Sequence, residues 1–223
     1  KNKKAAVNKK VLHVLKFVVL VLVLCMFIFP FYMVLINVFK TKADITSNPL
    51  AVIGAHGFTL KNFPEAIKKM NFMRAFGNSL FITVLSTVLT ILFSSMTAYI
   101  MVRRKWKITG ILFALMIASM VIPFQVLMIP LVSFYGGILN ILNHRATLIF
   151  MHIGFSLSMA TFMFHGAINT NIPLALEEAA TIDGCTSWQT FWKIVFPMLK
   201  PTVATIAIID AMAFWNDYLL PSL

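Results

Sequence analysis

Residues 173–197 read PLALEEAATIDGCTSWQTFWKIVFP, and the rest of the chain is organised around this segment, which we call the elbow. Pro173 suits the first position of a helix because its missing N–H would be unpaired there anyway. Gly184 permits a left-handed backbone that ends this helix. Thr186 and Gln189 have the spacing of a capping box, which starts a second helix. The elbow is therefore predicted to be a helix, a glycine turn and a second helix lying at a membrane face.

The second helix of the elbow carries a stripe of aromatic and apolar side chains. Its members recur at i, i+3, i+4 and i+7, and they are Trp188, Phe191, Trp192 and Val195. Pro197 is predicted to end this helix, since proline lacks a backbone N–H and crowds the preceding turn. Such a stripe can pack against membrane helices or contact a partner protein, and the sequence alone leaves both interpretations open.

The composition indicates an integral membrane protein. Of the 223 residues, 60% are hydrophobic and 12% are charged, against about 25% charged in soluble domains. The net charge of +12 could indicate a nucleic-acid-binding protein, but the Lys and Arg residues cluster at the ends of apolar runs, where they act as orientation signals. The two cysteines, Cys25 and Cys185, are predicted to be reduced and structural.

Five apolar runs are long enough to cross a membrane as helices. They extend over about residues 17–38, 80–101, 108–134, 146–164 and 203–220. The predicted fold is thus an all-α, polytopic helical bundle in a membrane. In the second run, small side chains recur every four residues and predict a ridge for close helix packing, formed by Ser86, Thr90, Ser94 and Ala98.

The third run contains two prolines, Pro123 and Pro130. Each removes a helix hydrogen bond, so the outer half of this span is predicted to be kinked or broken. Gln125 lies within that part. It can repair the freed backbone groups or line a cavity for a solute, because unwound backbone forms the binding sites of many transporters.

Polar residues in the fourth and fifth runs are candidates for function. Asp210 and Asp217 lie in or beside an apolar segment, where a carboxylate is costly, and Trp215 and Asn216 accompany them. We expect these residues either to line a solute path or to form buried contacts between helices. His152 could relay protons or bind a ligand, or it could form a hydrogen bond between helices, and no neighbouring residues have the spacing of a metal site.

The distribution of basic residues favours a cytoplasmic N-terminus. That orientation places twelve Lys and Arg residues inside and seven outside. It divides the chain into a cytoplasmic start at 1–16 and a transmembrane domain at 17–223. Within this domain, residues 40–75 form an external loop and residues 167–200, which include the elbow, form a cytoplasmic loop.

The elbow also contains a spaced motif that resembles a known family. A Glu-Ala-Ala triplet is followed after three residues by Gly and after nine more by Ile-x-Phe-Pro, at Glu178, Ala179, Ala180, Gly184, Ile194, Phe196 and Pro197. This pattern is similar to the EAA loop of binding-protein-dependent ABC importer permeases. The chain departs from that pattern once, with Phe196 in place of Leu, and the exchange keeps the helix stripe apolar.

Other short stretches sharpen the resemblance. They include the segments at 76–80, 129–131, 182–184 and 215–217. Together they resemble the carbohydrate-uptake subgroup, to which the maltose permease belongs, over residues 12–223.

The resemblance implies a type I transmembrane domain, with a sixth span expected beyond the five seen here. It implies a second homologous permease, two ATPase subunits that bind ATP and Mg, an external solute-binding protein, and a bacterial or archaeal cytoplasmic membrane. No cofactor is expected on this chain. The residues implied to couple to the ATPase are Glu178, Ala179, Ala180, Gly184, Ile194 and Pro197.

The sequence has no Gly-x-x-x-x-Gly-Lys-Ser/Thr phosphate loop, so ATP hydrolysis is expected on a partner and not on this chain. The leading hypothesis is a permease that couples this hydrolysis to the import of a sugar or oligosaccharide. The alternatives are a gradient-driven transporter or channel that uses Asp210, Asp217 and His152, and a membrane scaffold without transport. A cytoplasmic elbow favours the first hypothesis, because a gradient-driven carrier needs no docking helix.

Overall fold

The computed structural model describes residues 2–223, with side chains from Lys10 onward. All regular elements in this range are helical, as predicted. The α-helices are α1 Asn2–Asn37, α2 Lys42–Ser47, α3 Asn62–Lys69, α4 Phe72–Arg103, α5 Lys107–Ser119, α6 Phe124–Leu131, α7 Arg145–Asn171, α8 Leu174–Ile182, α9 Ser187–Thr190, α10 Phe196–Met198 and α11 Lys200–Trp215. Two wide π-helical turns, Val132–Ile138 and Phe191–Val195, and a 3₁₀ turn at Leu220–Ser222 complete the set. The chain divides into two compact units, residues 1–75 and 76–223.

Four described segments are long and apolar enough to cross a membrane as single helices. They are Lys10–Asn37, Phe72–Arg103, Arg145–Asn171 and Lys200–Ser222. A fifth span is formed if the helix pair Lys107–Ser119 and Phe124–Ile138 is counted as one broken crossing. Helices coincide with all five predicted apolar runs, and the third run is a bent pair of helices. The helices are longer than the apolar runs because the polar residues that flank each run are helical as well.

The third span is broken at the predicted place. The two halves are bent by 98°, and Pro123 caps α6 with an extended backbone (φ −62°, ψ 138°). A proline at this position loses no hydrogen bond, so the break is stable. Pro130 instead remains inside α6, and the helix widens into the π-turn directly after it. Widening of this kind accommodates a missing N–H without ending the helix.

The small-residue ridge of α4 is a packing surface. Its four members, Ser86, Thr90, Ser94 and Ala98, have no exposed surface at all. The apolar core of the second unit includes Phe164 of α7 and Ile206 of α11. Small side chains on α4 let neighbouring helices approach closely, which agrees with the prediction from spacing alone.

In the first unit, two buried charged residues organise the loop that follows α1. The Nζ of Lys40 donates to the side chain of Asn37 at 3.1 Å and to the carbonyl oxygens of Asn48 and Pro49 at 3.2 and 3.3 Å. Lys40 is 1% exposed. The three acceptors within the loop offset part of the cost of burying this amine.

Asp44 is the second of these residues, and it is 2% exposed. Its carboxylate accepts hydrogen bonds from the Thr41 hydroxyl at 2.9 Å, from the backbone N–H groups of Ala55 and His56 at 3.1 and 3.3 Å, and from the His56 ring at 2.9 Å. A Cβ atom on Gly54 would collide with this carboxylate, so the close approach requires glycine. Asp44 thus joins α2 to residues 54–56.

We predict that Asp44→Asn loosens this loop and that acid has the same effect on the unchanged protein. The hydrogen bond from His56 lowers the pKa of the Asp44 carboxyl below its ordinary value. Its stabilising contribution is therefore complete above about pH 4 and is lost as the pH falls through the lowered pKa. Hydrogen exchange of the amides at residues 44–56 should become about tenfold faster in Asp44→Asn at neutral pH. Thr46→Val, which changes an exposed side chain of the same helix, serves as the control, and equal exchange in both variants would contradict the assignment.

Candidate functional site

The elbow has the predicted helix–turn–helix form, with one change at its start. Pro173 is the residue before α8, with φ −62° and ψ 138°, and not its first helical residue. Gly184 has φ +80° and is followed by a capping box in which Thr186 and Gln189 pair reciprocally. The N–H of Cys185 bonds to the carbonyl of Ala180 at 2.9 Å, across the left-handed glycine. This pattern is a Schellman motif, which fixes the corner between the two helices.

The second half of the elbow differs from the prediction at Pro197. The helix does not end there but continues to Met198. The π-turn before it lets the N–H of Phe196 bond to the carbonyl of Phe191, five residues back. The chain then begins a new turn, in which Pro197 occupies an early position that needs no N–H donor.

The aromatic stripe divides between the core and the surface. Phe191 and Val195 are buried, with 2% and 0% exposure, and Trp192 packs against Phe196 with ring centroids 5.0 Å apart. Trp188 is 59% exposed, although it contacts Trp192. The stripe therefore serves mainly to attach the elbow to the membrane helices.

The structure places the six residues predicted to couple to a partner in two groups. Glu178, Ala179 and Gly184 are exposed on one side of the corner. The other three face inward to different degrees: Ala180 is 4% exposed, and Ile194 and Pro197 are partly covered. The exposed group is the most accessible to another protein, whereas Ala180 is enclosed within the elbow.

A buried ion pair connects the elbow to the end of α4. The Nε atom of Arg103 donates to the Glu177 carboxylate at 2.7 Å, and a second guanidinium nitrogen lies 2.6 Å from the same oxygen. The Tyr99 hydroxyl donates to the other carboxylate oxygen at 2.8 Å. Arg103 also donates to the backbone carbonyl of Ile172 at 2.9 Å. We call Tyr99, Arg103 and Glu177 the clamp.

Sequence reasoning missed the clamp. Arg103 belongs to the basic residues that follow an apolar run and act as orientation signals, and Glu177 lies near the start of a helix, where the dipole favours a carboxylate. Each residue therefore has an adequate local explanation. The two residues are 74 positions apart, so no spacing rule connects them. The available hint was that Glu177 and Glu178 occur together although one carboxylate would satisfy the helix dipole.

An open groove of about 450 Å³ lies beside the clamp. Its polar wall is formed by Arg103 and Arg104 from the α4 end and by Glu177, Glu178 and Ser187 from the elbow. The groove therefore carries both positively and negatively charged side chains. Such a surface suits a protein partner with matched charges better than it suits an apolar ligand.

The residues predicted to line a solute path are only partly brought together. Gln125 is exposed, Trp215 packs edge-on against Phe76, and the Asn216 amide donates to the carbonyl of Met212 at 2.8 Å within its own helix. None of these three residues lines the cavity beside the two acids.

Asp210 and Asp217 both contact α7. The Ser156 hydroxyl donates to Asp210 at 2.8 Å, and Nε2 of His152 lies 3.1 Å from the Asp217 carboxylate. A cavity of about 360 Å³ opens at this contact, and Phe214 forms part of its wall. Of the roles considered for His152, the structure shows a hydrogen bond from α7 to the segment directly after α11. Within the described residues, no three His, Cys, Asp or Glu side chains are grouped closely enough to hold a metal ion.

We predict that Glu177→Gln loosens the elbow while Glu178→Gln does not. Removing one partner of a buried ion pair leaves the other charge uncompensated, at a cost of about 3 kcal/mol. Limited proteolysis of the elbow in membrane vesicles should become faster by roughly a hundredfold for Glu177→Gln, if cleavage follows the open population. Glu178 is the matched control because it is adjacent, has the same chemistry and is exposed. Similar rates for both variants would contradict the role of the clamp.

Comparisons with known proteins agree with this architecture. The family described as "Binding-protein-dependent transport system inner membrane component" matches residues 90–223. A probable starch degradation products transport system permease protein, AmyC, of Thermoanaerobacterium thermosulfurigenes is 43% identical over 95% of this chain and 75% of its own length. The melibiose/raffinose/stachyose import permease protein MelC of Bacillus subtilis is 37% identical over 88% of this chain and 70% of its own.

A solved structure shares the fold. A bacterial ABC transporter involved in the import of the acidic polysaccharide alginate contains a chain that superposes with a TM-score of 0.73. The match covers 94% of this chain and 72% of the other, at 20% sequence identity. With the family match over more than half of the sequence and the helical elbow in place, this chain belongs to the inner-membrane permeases of binding-protein-dependent transport systems.

Proposed function

We propose that this permease imports a sugar or oligosaccharide. The observation that carries the proposal is the similarity, at 43% and 37% identity over most of the chain, to permeases named for starch degradation products and for melibiose, raffinose and stachyose. The membrane helices supply the route, and the sequence contains no phosphate loop of its own. The energy for import therefore comes from a separate ATPase.

The proposed assembly contains this chain, a second homologous permease, two ATPase subunits that hold ATP and Mg, and an external solute-binding protein. Its N-terminus lies in the cytoplasm of a bacterial or archaeal cell, which places the elbow on the ATPase side of the cytoplasmic membrane. Support for this orientation comes from the excess of basic residues, twelve against seven, on that side. Glu178, exposed at the elbow, is suited to pair with a cation of the ATPase.

Coupling in this proposal depends on the clamp. An ATPase dimer that closes on ATP would displace the exposed corner formed around Gly184. Because Arg103 holds Glu177 and the Ile172 carbonyl together, the end of α4 would move with the elbow. The buried ridge of α4 would then transfer this movement to the helices packed against it.

The gradient-driven alternative is not supported by the family to which the chain belongs. It assigned Asp210, Asp217 and His152 as ion-sensing groups, but each of the two acids is bonded to a residue of α7. Membership of a binding-protein-dependent transport family instead places the energy source on a partner.

We predict that Gly184→Ala weakens the coupling of the elbow to the ATPase. A Cβ atom would meet open space there, but the left-handed backbone costs a residue other than glycine about 1–2 kcal/mol. ATP-driven uptake in reconstituted liposomes should fall by roughly tenfold, while membrane insertion stays unchanged. Gly110→Ala is the matched control, because the position also has open space but its φ is not positive. Equal uptake in the two variants would count against the coupling role.

The function itself is tested by the uptake of radiolabelled maltotriose and raffinose into liposomes that contain the complete assembly. We expect uptake that requires ATP inside the liposomes, persists when a protonophore removes the ion gradient, and is lost in Glu178→Ala. Accumulation without any ATPase subunit would restore the gradient-driven alternative. ATP-driven uptake of a non-carbohydrate solute, with no uptake of a sugar, would contradict the proposed substrate class.

A further inference from the structure

The cavity between α7 and α11 contains more than the residues identified from sequence. Its volume of about 360 Å³ lies within the usual range of about 300–1,000 Å³ for small-molecule sites. The residues of its wall that bear on binding are Phe124, His152, Phe155, Ser156, Phe214 and Asp217. They come from α6, α7, the end of α11 and the segment directly after it. The cavity therefore lies where the third span is broken, since Phe124 is the first residue after the break.

The polar groups of the wall are arranged to accept hydrogen bonds. The Ser156 hydroxyl donates its hydrogen bond to Asp210, so toward a ligand its oxygen can act only as an acceptor. The Asp217 carboxylate takes hydrogen bonds from the Leu220 N–H at 3.3 Å and from the His152 ring, and it retains further lone pairs. A ligand that carries several O–H donors is the natural complement of such a wall.

Two buried polar atoms at this contact have no partner among the described residues. They are Nδ1 of His152, whose side chain is 4% exposed overall, and Oδ2 of Asp210, at 5% exposure. A buried polar atom without a hydrogen bond costs about 1–3 kcal/mol. Of these two residues, only His152 lines the cavity. The contact beside the cavity therefore contains polar groups that the described side chains leave unsatisfied.

The aromatic part of the wall supplies flat apolar surfaces. Phe124 and Phe155 meet edge to face, with ring centroids 5.3 Å apart. Phe214 stacks on the His152 ring at 4.5 Å. Aromatic faces pack against the C–H faces of a sugar ring, while acceptors at the edge bind its hydroxyl groups. The combination suits a ring that is apolar on its faces and hydroxylated at its rim.

The charge of the wall defines the class of ligand further. No Lys or Arg is among the residues that line this cavity in the described part of the chain, whereas Asp217 is an acid. A carboxylate without a nearby cation repels anionic ligands. We propose that the cavity is a binding site for a neutral sugar unit, with Ser156 and Asp217 accepting its hydroxyl protons and Phe214 packing against its ring. This inference rests on the proposed function and narrows it to uncharged carbohydrates.

Cysteine labelling tests the site without relying on transport. Ala213, which also lines the cavity, is changed to Cys in a full chain that carries Cys25→Ser and Cys185→Ser, assembled with its partner permease in membrane vesicles. Maltotriose or raffinose at about four times its Kd should slow maleimide labelling of A213C by roughly fivefold through simple occupancy. Trigalacturonate and a chitosan trisaccharide, which are anionic and cationic probes, should leave the rate unchanged. Ala204→Cys, on the same helix but outside the cavity, is the control for access of the reagent.

Two further variants make the result specific to the proposed contacts. Phe214→Ala and Ser156→Ala should abolish protection of A213C, while unchanged labelling of A204C shows that the helix is inserted and packed. Protection by the charged probes, or no protection by either neutral sugar, would overturn the inference. If the labelling test overturns the inference but the same vesicles show ATP-driven sugar uptake, the proposed function is still supported. Protection without ATP-driven uptake would support the site and contradict the proposed function.

Discussion

The ion pair between Arg103 and Glu177 is the contact on which this structure depends. It is nearly buried, with side-chain exposures of 16% and 9%, and it joins segments that are 74 residues apart in sequence. The elbow is otherwise held by the chain at its two ends and by apolar packing of Phe191 and Val195. The charge-assisted hydrogen bonds from Arg103 to one carboxylate oxygen, and from Tyr99 to the other, add direction to that packing. The elbow and the end of α4 therefore behave as one body.

Local signals in the sequence predicted the local structure well. The corner at Gly184, the capping box at Thr186 and the break at Pro123 were all predicted, because each depends on the backbone chemistry of a few adjacent residues. The ridge of α4 was also predicted, since its periodicity reflects a single helix face. Pro197 was predicted to end the helix, which instead ends one residue later, at Met198. The π-turn at Phe191–Val195 places Pro197 early in a new turn, and a widened turn has no comparable sequence signal.

Contacts between distant segments could not be predicted in the same way. Ser156 and Asp210 are 54 positions apart, and His152 and Asp217 are 65 apart, so only the packing of α7 against α11 brings them together. Residue type identified the two acids as unusual but gave no partner for either. Gln125, Trp215 and Asn216 were selected for polarity or aromaticity near these acids. Of these three, Trp215 and Asn216 are occupied by packing or by their own helix, and Gln125 does not line the cavity.

The folding of the loop after α1 determines which charges this loop presents to approaching molecules. Lys40 and Asp44 are both turned inward, so neither contributes to the charge that an approaching molecule meets. Within residues 40–75 the exposed cations are Lys42, Lys61, Lys68, Lys69 and Arg74, against one exposed acid, Glu65. This surface attracts acidic proteins over a distance set by ionic strength. Low ionic strength should raise the association rate of such proteins and high ionic strength should lower it, without any change in the contacts of the final complex.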